Sequence, residues 1–221
     1  MSQIIIAIDG PAGSGKSSVA KELAREFGFA YLDTGAAYRA LAWAVLNGLS
    51  TEALDSPDLA AKFRYDVSTD ADDFWVHVGE SDVTEAIRTN LISESVSTVA
   101  GNQNVRSYMK KLTQEIAADC HAPGIIVEGR DITTVVFPNA DSRILLTASE
   151  EVRIQRRAKQ LDEGAGHDLT KSVSQRDRSD SKVVDFMTAA DGVTLIDSTN
   201  LDFDDTVEAL ELQIRKDLET L

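Results

Sequence analysis

The sequence is poor in the residues that build covalent cross-links and metal centres. It has one cysteine, Cys120, and three histidines. A single cysteine excludes an intramolecular disulfide and any metal site made from several cysteines. The histidines His77, His121 and His167 are too scattered for two of them to share a metal. Cys120 ends a helical pattern, where a small buried apolar residue is the simplest interpretation.

Long hydrophobic runs and a basic leader are also missing. The apolar runs fall far short of the roughly 20 residues that a membrane span needs, and residues 1–6 lack the charge pattern of a signal peptide. The net charge is −15, from 22 basic and 37 acidic residues. So acidic a chain repels a nucleic-acid backbone unless its basic residues cluster. We therefore expect a soluble cytoplasmic protein, a monomer, that binds neither membranes nor nucleic acids.

Strand-like and helix-like segments alternate along the chain, which predicts an α/β fold with a mostly parallel sheet. The predicted strands cover residues 4–8, 29–32, 125–127, 143–147 and 193–196. The predicted helices cover residues 16–27, 36–46, 90–100, 104–120, 150–161 and 204–218. Residues 63–67, 74–78 and 82–83 look like short strands without intervening helices, so we expect a small antiparallel insert there.

Residues 10–17 fit the pattern G-x-x-x-x-G-K-[ST] between a buried strand and an amphipathic helix. Glycines let backbone N–H groups turn towards phosphate oxygens, and the helix N-terminus adds partial positive charge. Lys16 can reach the β- and γ-phosphates, and the Ser17 hydroxyl can ligate Mg²⁺. The residues expected to bind the donor nucleotide are Gly10, Pro11, Ala12, Gly13, Ser14, Gly15, Lys16, Ser17 and Ser18.

Other segments narrow the class of phosphate-loop protein. The chain has no Asn-Lys-x-Asp segment of a GTPase, and strand 125–127 lacks the ending of an ATPase motor.

The segment from Asp33 to Arg39 opens a helix at the sheet edge that the phosphate loop also faces. It is either a second anion site or an ordinary helix cap followed by a solvated arginine. Arg153, Arg156 and Arg157 cluster on one helix, either as a lid over ATP or as a solvated face.

Three segments together resemble bacterial cytidylate kinases. They are residues 8–17, residues 31–39 with the pattern Y-L-D-T-G-A-A-Y-R, and residues 127–138 with E-G-R-D-I followed by T-V-V-F-P. Residues 146–149, 175–181 and 196–199 resemble that family as well, so the resemblance spans nearly the whole chain. It implies one kinase domain over residues 1–221, with a core of about 1–50 and 122–221. An NMP-binding insert would cover about 60–105, and a mobile Arg-rich lid about 153–182.

The resemblance also implies an activity and roles for individual residues. The activity is transfer of the γ-phosphate of ATP, with Mg²⁺, to CMP or dCMP in pyrimidine nucleotide metabolism. Ser97, Arg106 and Asp131 would read the cytosine edge, and a uracil carbonyl would be repelled by the carboxylate of Asp131. The remaining residues expected at the acceptor are Asp33, Thr34, Tyr38, Arg39, Arg88, Arg130, Arg176 and Asp180. The residues expected to act in catalysis are Lys16, Arg130, Asp131, Arg153, Arg157 and Arg176.

The sequence departs from the family pattern at two places. Lys182 stands near where the family usually carries a further arginine, and Thr133 stands where it usually has glycine. A kinase for another small acceptor, such as UMP, shikimate or dephospho-coenzyme A, is the nearest alternative. A nucleotide sensor without turnover is the alternative from another class, and the arginine cluster argues against it.

Overall fold

The computed structural model describes residues 3–160 and 186–219. The chain divides into two compact units, Met1–Phe29 with Ala122–Leu221 and Ala30–His121. The strands are β1 (Ile4–Asp9), β2 (Ala30–Asp33), β3 (Tyr65–Val67), β4 (Val76–Val78), β5 (Ser81–Asp82), β6 (Gly124–Gly129), β7 (Ser142–Thr147) and β8 (Thr194–Asp197). The α-helices are α1 (Lys16–Phe27), α2 (Thr34–Leu46), α3 (Leu59–Phe63), α4 (Asn90–Ser95), α5 (Ser97–Ala100), α6 (Gln103–Asp119), α7 (Glu150–Gln160) and α8 (Phe203–Leu218).

The first unit is built on a parallel sheet in which β6, β1, β7 and β8 lie in that order. β1 lies between β6 and β7: Ile6 pairs with Ile126, Ile8 pairs with Ile144, and all of these side chains are inaccessible to solvent. A run of β-branched residues is what a strand covered on both faces requires. The predicted α/β class is therefore confirmed, and the strands end at a common edge of the sheet.

Helices α1 and α8 pack on this unit through one apolar face each. In α1 the buried residues are Val19, Ala20, Leu23 and Ala24. Burying a side chain of the size of leucine or valine contributes about 1.5–3 kcal/mol. Gly28 ends α1 at φ 64°, and its N–H bonds back to the carbonyl groups of the last turn. Asp202 caps α8 by accepting a hydrogen bond from the N–H of Asp205.

The second unit contains the predicted antiparallel insert, in which β3, β4 and β5 lie in that order. The starts of its first two strands were predicted wrongly. Phe63 ends α3 rather than starting a strand, because Leu59 and Phe63 are both buried at a spacing of four residues. Arg64 then takes a left-handed φ of 44°, and β3 starts after it. Phe74 precedes β4, and its ring contacts Tyr31 edge-on at 6.1 Å between centroids.

The predicted helix over residues 90–100 is divided at Val96 into α4 and α5. Hydroxyl groups around the break donate to nearby backbone carbonyls: Ser95 to Leu91, Ser97 to Glu94 and Thr98 to Ser95. Such bonds compete with the regular helical pattern, which weakens a helix that has three hydroxyl residues within four positions. In the part of the chain that the structure describes, no helix is both long and apolar enough to cross a membrane.

Candidate active site

The phosphate loop, residues 10–18, follows β1 in the first unit and includes the first three residues of α1. Gly13 has φ 77°, and a Cβ there would lie 2.5 Å from the carbonyl oxygen of Arg153. A Cβ on Gly10 would lie 2.1 Å from the carbonyl oxygen of Leu146. Both contacts are with backbone, so the loop is packed against β7 and α7 at distances that only glycine allows.

The loop leaves the start of α1 open for an anion. Gly15 precedes the helix in a left-handed conformation and has no side chain to cap it. The first N–H groups of a helix need partners, and phosphate oxygens are suitable ones. Ser14 is completely buried, and no residue of the ranges 3–160 and 186–219 forms a hydrogen bond with its hydroxyl. This arrangement fits the binding of a phosphate chain.

Lys16, the first residue of α1, lies beside a buried acid. Its Nζ is 3.5 Å from the carbonyl oxygen of Pro11 and 4.0 Å from Oε2 of Glu128. The Glu128 side chain is 2% exposed and belongs to β6, the strand next to β1. A carboxylate so close to the ammonium group holds the lysine over the loop while leaving it partly accessible to solvent.

Two arginines of α7 hold the phosphate loop from outside. Arg153 is 4% exposed and donates from Nε to the Ala148 carbonyl and from an Nη to the Ala12 carbonyl, at 3.1 and 2.9 Å. Arg156 donates to the Ser14 carbonyl at 3.1 Å. Its guanidinium also bonds the hydroxyl and carbonyl of Ser198, at 2.9 Å each, and the Leu201 carbonyl at 3.1 Å.

The arginines that were predicted to close over ATP as a lid can be compared with these contacts. The guanidinium of Arg153 is engaged with backbone carbonyls, so in this structure it braces the loop that receives the phosphates. Arg157 is half-buried on the same helix. Arg176 and Asp180 lie outside the described residues, as do most of the expected lid and Lys182.

The turn after β6 carries Arg130 and Asp131. Arg130 donates a hydrogen bond to the carbonyl of Gly10, the first residue of the phosphate loop, and its guanidinium carbon lies 4.7 Å from the centroid of the Phe186 ring. Asp131 precedes a helical turn, Ile132–Val136, whose residues Val135 and Val136 donate to its carbonyl. The structure therefore brings one predicted site residue, Arg130, to the start of the loop, and Asp131 follows it in the chain.

Asp9, the last residue of β1, holds this turn in place through hydrogen bonds to its carboxylate. Its Oδ1 accepts from the N–H of Ile132 at 2.9 Å, and its Oδ2 accepts from the N–H and hydroxyl of Thr133 at 2.8 and 2.6 Å. Burial raises the pKa of Asp9 above its ordinary value, and the bonds from Thr133 and Ile132 act against that rise.

A cavity of about 540 Å³ opens beside the phosphate loop within the first unit. It runs from the loop to helix α7 and to the segment between β8 and α8. Its lining includes Ser14, Gly15, Ser18, Gln155, Arg156, Thr199, Leu201 and Phe203. The volume lies in the range of small-molecule sites, and the lining mixes apolar surface with a few polar groups.

In the second unit, the segment from Asp33 to Arg39 is ordered by one ion pair. Asp33 caps α2, accepting from the N–H of Ala36 at 3.1 Å, so the helix starts two residues before its predicted position. Its other oxygen accepts from an Nη of Arg39 at 2.7 Å. Thr34 is buried, and Tyr38 and Arg39 are half-buried. Asp33 is thus a helix cap and also a group that orients Arg39.

The other predicted acceptor residues of this unit lie near the ends of helical elements. Arg88 is exposed at the end of the turn Ala86–Arg88, with its guanidinium carbon 5.6 Å from the Phe74 ring centroid. Ser97 is exposed at the start of α5, and Arg106 is half-buried in the first turn of α6. Among the described residues, no three His, Cys, Asp or Glu side chains form a cluster able to hold a metal ion.

The sequence reasoning did not single out Asp9 or Glu128 as members of the site, and it named Thr133 only as a departure from the family pattern. Arg156 was predicted as part of the arginine cluster, three residues from Arg153 on the same face of α7, but not among the catalytic residues. The contacts of Asp9 with Thr133 join residues 124 positions apart in sequence. No local pattern indicates such a pairing.

Comparison with known proteins gives a family for the whole chain. The family model described as cytidylate kinase matches residues 6–216. The cytidylate kinase of Cutibacterium acnes is 41% identical over 213 residues, covering 95% of each chain. The cytidylate kinase of Streptococcus pneumoniae strain 70585 is 40% identical over 225 residues, covering 98% of this chain and 99% of the relative.

Solved structures agree at the level of the fold. Shikimate kinase from Bacteroides thetaiotaomicron has a TM-score of 0.50 at 12% identity, covering 97% of this chain and 99% of that one. A gluconokinase from Sinorhizobium meliloti has a TM-score of 0.50 at 13% identity, covering 97% and 92%. At this level of identity the likeness concerns the architecture of small-molecule kinases.

Proposed function

Because the chain belongs to the cytidylate kinase family, we propose that it transfers the γ-phosphate of ATP to CMP or dCMP, giving CDP or dCDP. One structural observation carries the proposal: the phosphate loop is built and braced as a phosphate site. Gly10 and Gly13 have no room for a side chain, Lys16 lies over the loop, and Arg153 and Arg156 hold its carbonyls from outside.

The donor nucleotide makes the first set of contacts in this proposal. N–H groups of the loop and of the start of α1 bind the β-phosphate, and Lys16 neutralises charge on the transferring group. Ser17 is the residue that would hold Mg²⁺, which would supply positive charge to neutralise the donor phosphates. The cavity beside the loop then receives the adenine ring, with Leu201 and Phe203 supplying apolar surface.

The acceptor nucleotide is assigned to residues that the family resemblance identifies. Thr34, Tyr38, Arg39, Arg88 and Arg130 are assigned to its phosphate and sugar. Ser97, Arg106 and Asp131 are assigned to cytosine, where the carboxylate accepts from the exocyclic amine and disfavours uracil. The acceptor is already an anion and needs no strong general base, so catalysis rests on orientation and charge neutralisation. Arg176 and Asp180 complete the proposed set.

The test is ADP release with ATP and Mg²⁺ and, separately, CMP, dCMP, UMP, AMP or GMP. Turnover should be highest with CMP and dCMP. The Asp131→Asn variant should lose preference for CMP over UMP by roughly 10- to 100-fold, because a charge-assisted hydrogen bond to the base amine is removed. Asp119→Asn, at the exposed last residue of α6, is the matched control and should keep the wild-type preference.

Two outcomes would contradict the proposal. Turnover with another acceptor, and none with CMP or dCMP, would assign the chain to a different substrate. Binding of ATP without ADP release for any acceptor would favour a nucleotide sensor.

A further inference from the structure

The residues that follow Asp131 are attached to the residue that precedes the phosphate loop. Asp9 is 3% exposed, and its carboxylate accepts three hydrogen bonds, one from Ile132 and two from Thr133. A buried carboxylate is tolerated only when such donors replace water. We call the group formed by Asp9, Ile132 and Thr133 the Asp9 clasp.

The clasp supplies the N-terminal cap of the helical turn Ile132–Val136. The side chain of Asp131 forms no capping bond to this turn. The first two N–H groups of the turn, those of Ile132 and Thr133, instead donate to a carboxylate from β1. The Asp9 clasp therefore determines how the turn leaves β6, and with it the backbone on which Arg130 and Asp131 are placed.

A second bond joins the same two segments, from the residue two positions before Ile132 to the residue after Asp9. Arg130 donates to the carbonyl of Gly10, next to Asp9. The turn and the loop are thus linked at adjacent positions by a side chain from each segment. Two links at neighbouring residues restrict rotation of the turn, which one link alone would permit.

Thr133 provides the donor that a glycine at this position could not. Its hydroxyl lies 2.6 Å from Asp9 Oδ2, the shortest of the three bonds, and its side chain is 3% exposed. Hydroxyl–carboxylate bonds of this length are among the stronger hydrogen bonds in proteins. Without the hydroxyl, Oδ2 would keep only the backbone donor in a site closed to water.

We propose that Thr133 is a positioning residue for acceptor recognition: by donating to Asp9 it holds Arg130 and Asp131 in the orientation that binds CMP. This inference rests on the proposed function for its kinetic consequence, whereas the clasp itself can be tested without turnover. Thr133 does not touch the substrate in this proposal and acts through the turn.

The kinetic test compares Thr133→Val, Thr133→Ser and the exposed neighbour variant Thr134→Val. Thr133→Val keeps the volume and removes the hydroxyl, so KM for CMP should rise about tenfold and the preference for CMP over UMP should fall. KM for ATP should stay within about twofold, because the contacts that brace the loop from α7 remain. Thr133→Ser should restore most of the wild-type KM, and Thr134→Val should match the wild type. If Thr133→Val does not fold, Thr133→Gly removes the hydroxyl without placing an apolar group on the carboxylate.

The second test is amide hydrogen exchange at Ile132 and Thr133, measured by NMR in the absence of nucleotides. Loss of the hydroxyl should speed exchange at both positions by about tenfold, and Thr134→Val should leave it unchanged. If exchange becomes faster on loss of the hydroxyl but the wild type phosphorylates neither CMP nor dCMP, the clasp is upheld and the proposed function is rejected. Unchanged exchange, or a lower kcat and Tm at unchanged KM for CMP and unchanged base preference, would overturn the positioning role.

Discussion

The phosphate loop in the first unit and the predicted acceptor residues in the second unit are held by different kinds of contact. The loop depends on backbone: Gly10 and Gly13 pack against carbonyl oxygens, and arginines from α7 bind carbonyls of the loop. The segment at the start of α2 depends instead on side chains, chiefly the ion pair between Asp33 and Arg39. A backbone site tolerates few substitutions at its glycines, whereas a side-chain site can be altered one group at a time.

The largest effect should come from the one charged side chain that the phosphate loop contains. Lys16→Met should lower kcat on the order of 10²–10³-fold, as expected when a group that stabilises transition-state charge is removed. Lys111→Met is the control: this lysine is 76% exposed and pairs with Glu115 on α6. Steady-state ADP release measures both variants. A loss below tenfold for Lys16→Met would show that the backbone of the loop stabilises the transferring phosphate without the lysine. The phosphate loop would then depend on its backbone even more than we propose.

The backbone part of the comparison can be tested with two glycines that both have positive φ. Gly28→Ala places a Cβ where no atom lies within 4 Å, so only backbone strain of about 1–2 kcal/mol is expected. Gly13→Ala adds a Cβ 2.5 Å from the Arg153 carbonyl oxygen, so the free energy of unfolding should fall by about 1–3 kcal/mol more.

Urea unfolding of the two glycine variants measures the difference, and ATP affinity should fall only in Gly13→Ala. Equal losses of stability would mean that α7 moves away from the loop without cost. The bracing role of Arg153 would then be rejected.

The same contrast explains what the sequence could and could not predict. The glycine spacing of residues 10–17, between a β-branched run and an amphipathic helix, determines a backbone conformation, so it predicts the loop and the sheet around it. Local patterns also predicted the antiparallel insert. They failed at Phe63, where burial at helical spacing extends α3, and at Val96, where hydroxyl groups interrupt the helix.

Local sequence patterns could not predict contacts between residues that lie far apart in the chain. The partners of Arg153 and Arg156 in the phosphate loop are carbonyl groups 141 and 142 positions away, and carbonyls carry no sequence signal. Sequence spacing favoured a lid role for Arg153, whereas its guanidinium is buried against the loop. The link between Asp9 and Thr133 is of the same kind, since only the register of β1 beside β6 brings the two residues together.

The side-chain part of the comparison predicts a smaller effect at Arg39. Arg39→Lys keeps the charge but removes the planar fork that bonds Asp33, so KM for CMP should rise about five- to tenfold with little change in KM for ATP. Arg25→Lys is the matched control, because Arg25 makes an exposed pair of equal length, 2.7 Å, with Glu22 on α1. An equal rise in KM for ATP would indicate that the pair also supports the donor site.

The smallest expected effect concerns Asp197, the last residue of β8. Its carboxylate accepts hydrogen bonds from Thr199, and Thr199 lines the cavity beside the phosphate loop. The hydroxyl and N–H of Thr199 bond its Oδ1 at 2.5 and 2.9 Å and hold the pKa of Asp197 below its ordinary value. A carboxyl whose pKa is lowered by folding stabilises the protein above its unfolded pKa, and this stabilisation is lost as the pH falls through the folded value. Because the group is largely exposed, Asp197→Asn should cost only about 0.5 kcal/mol at pH 7.

That difference should shrink as the pH falls from about 5 to about 3, since the wild-type carboxyl then also becomes neutral. Urea unfolding of both proteins across this range measures it, with Asp119→Asn as an exposed control. A difference that stays constant with pH would assign the contribution of Asp197 to hydrogen-bond geometry alone. The charge at this edge of the sheet would then have no part in holding Thr199, which lines the cavity assigned to adenine.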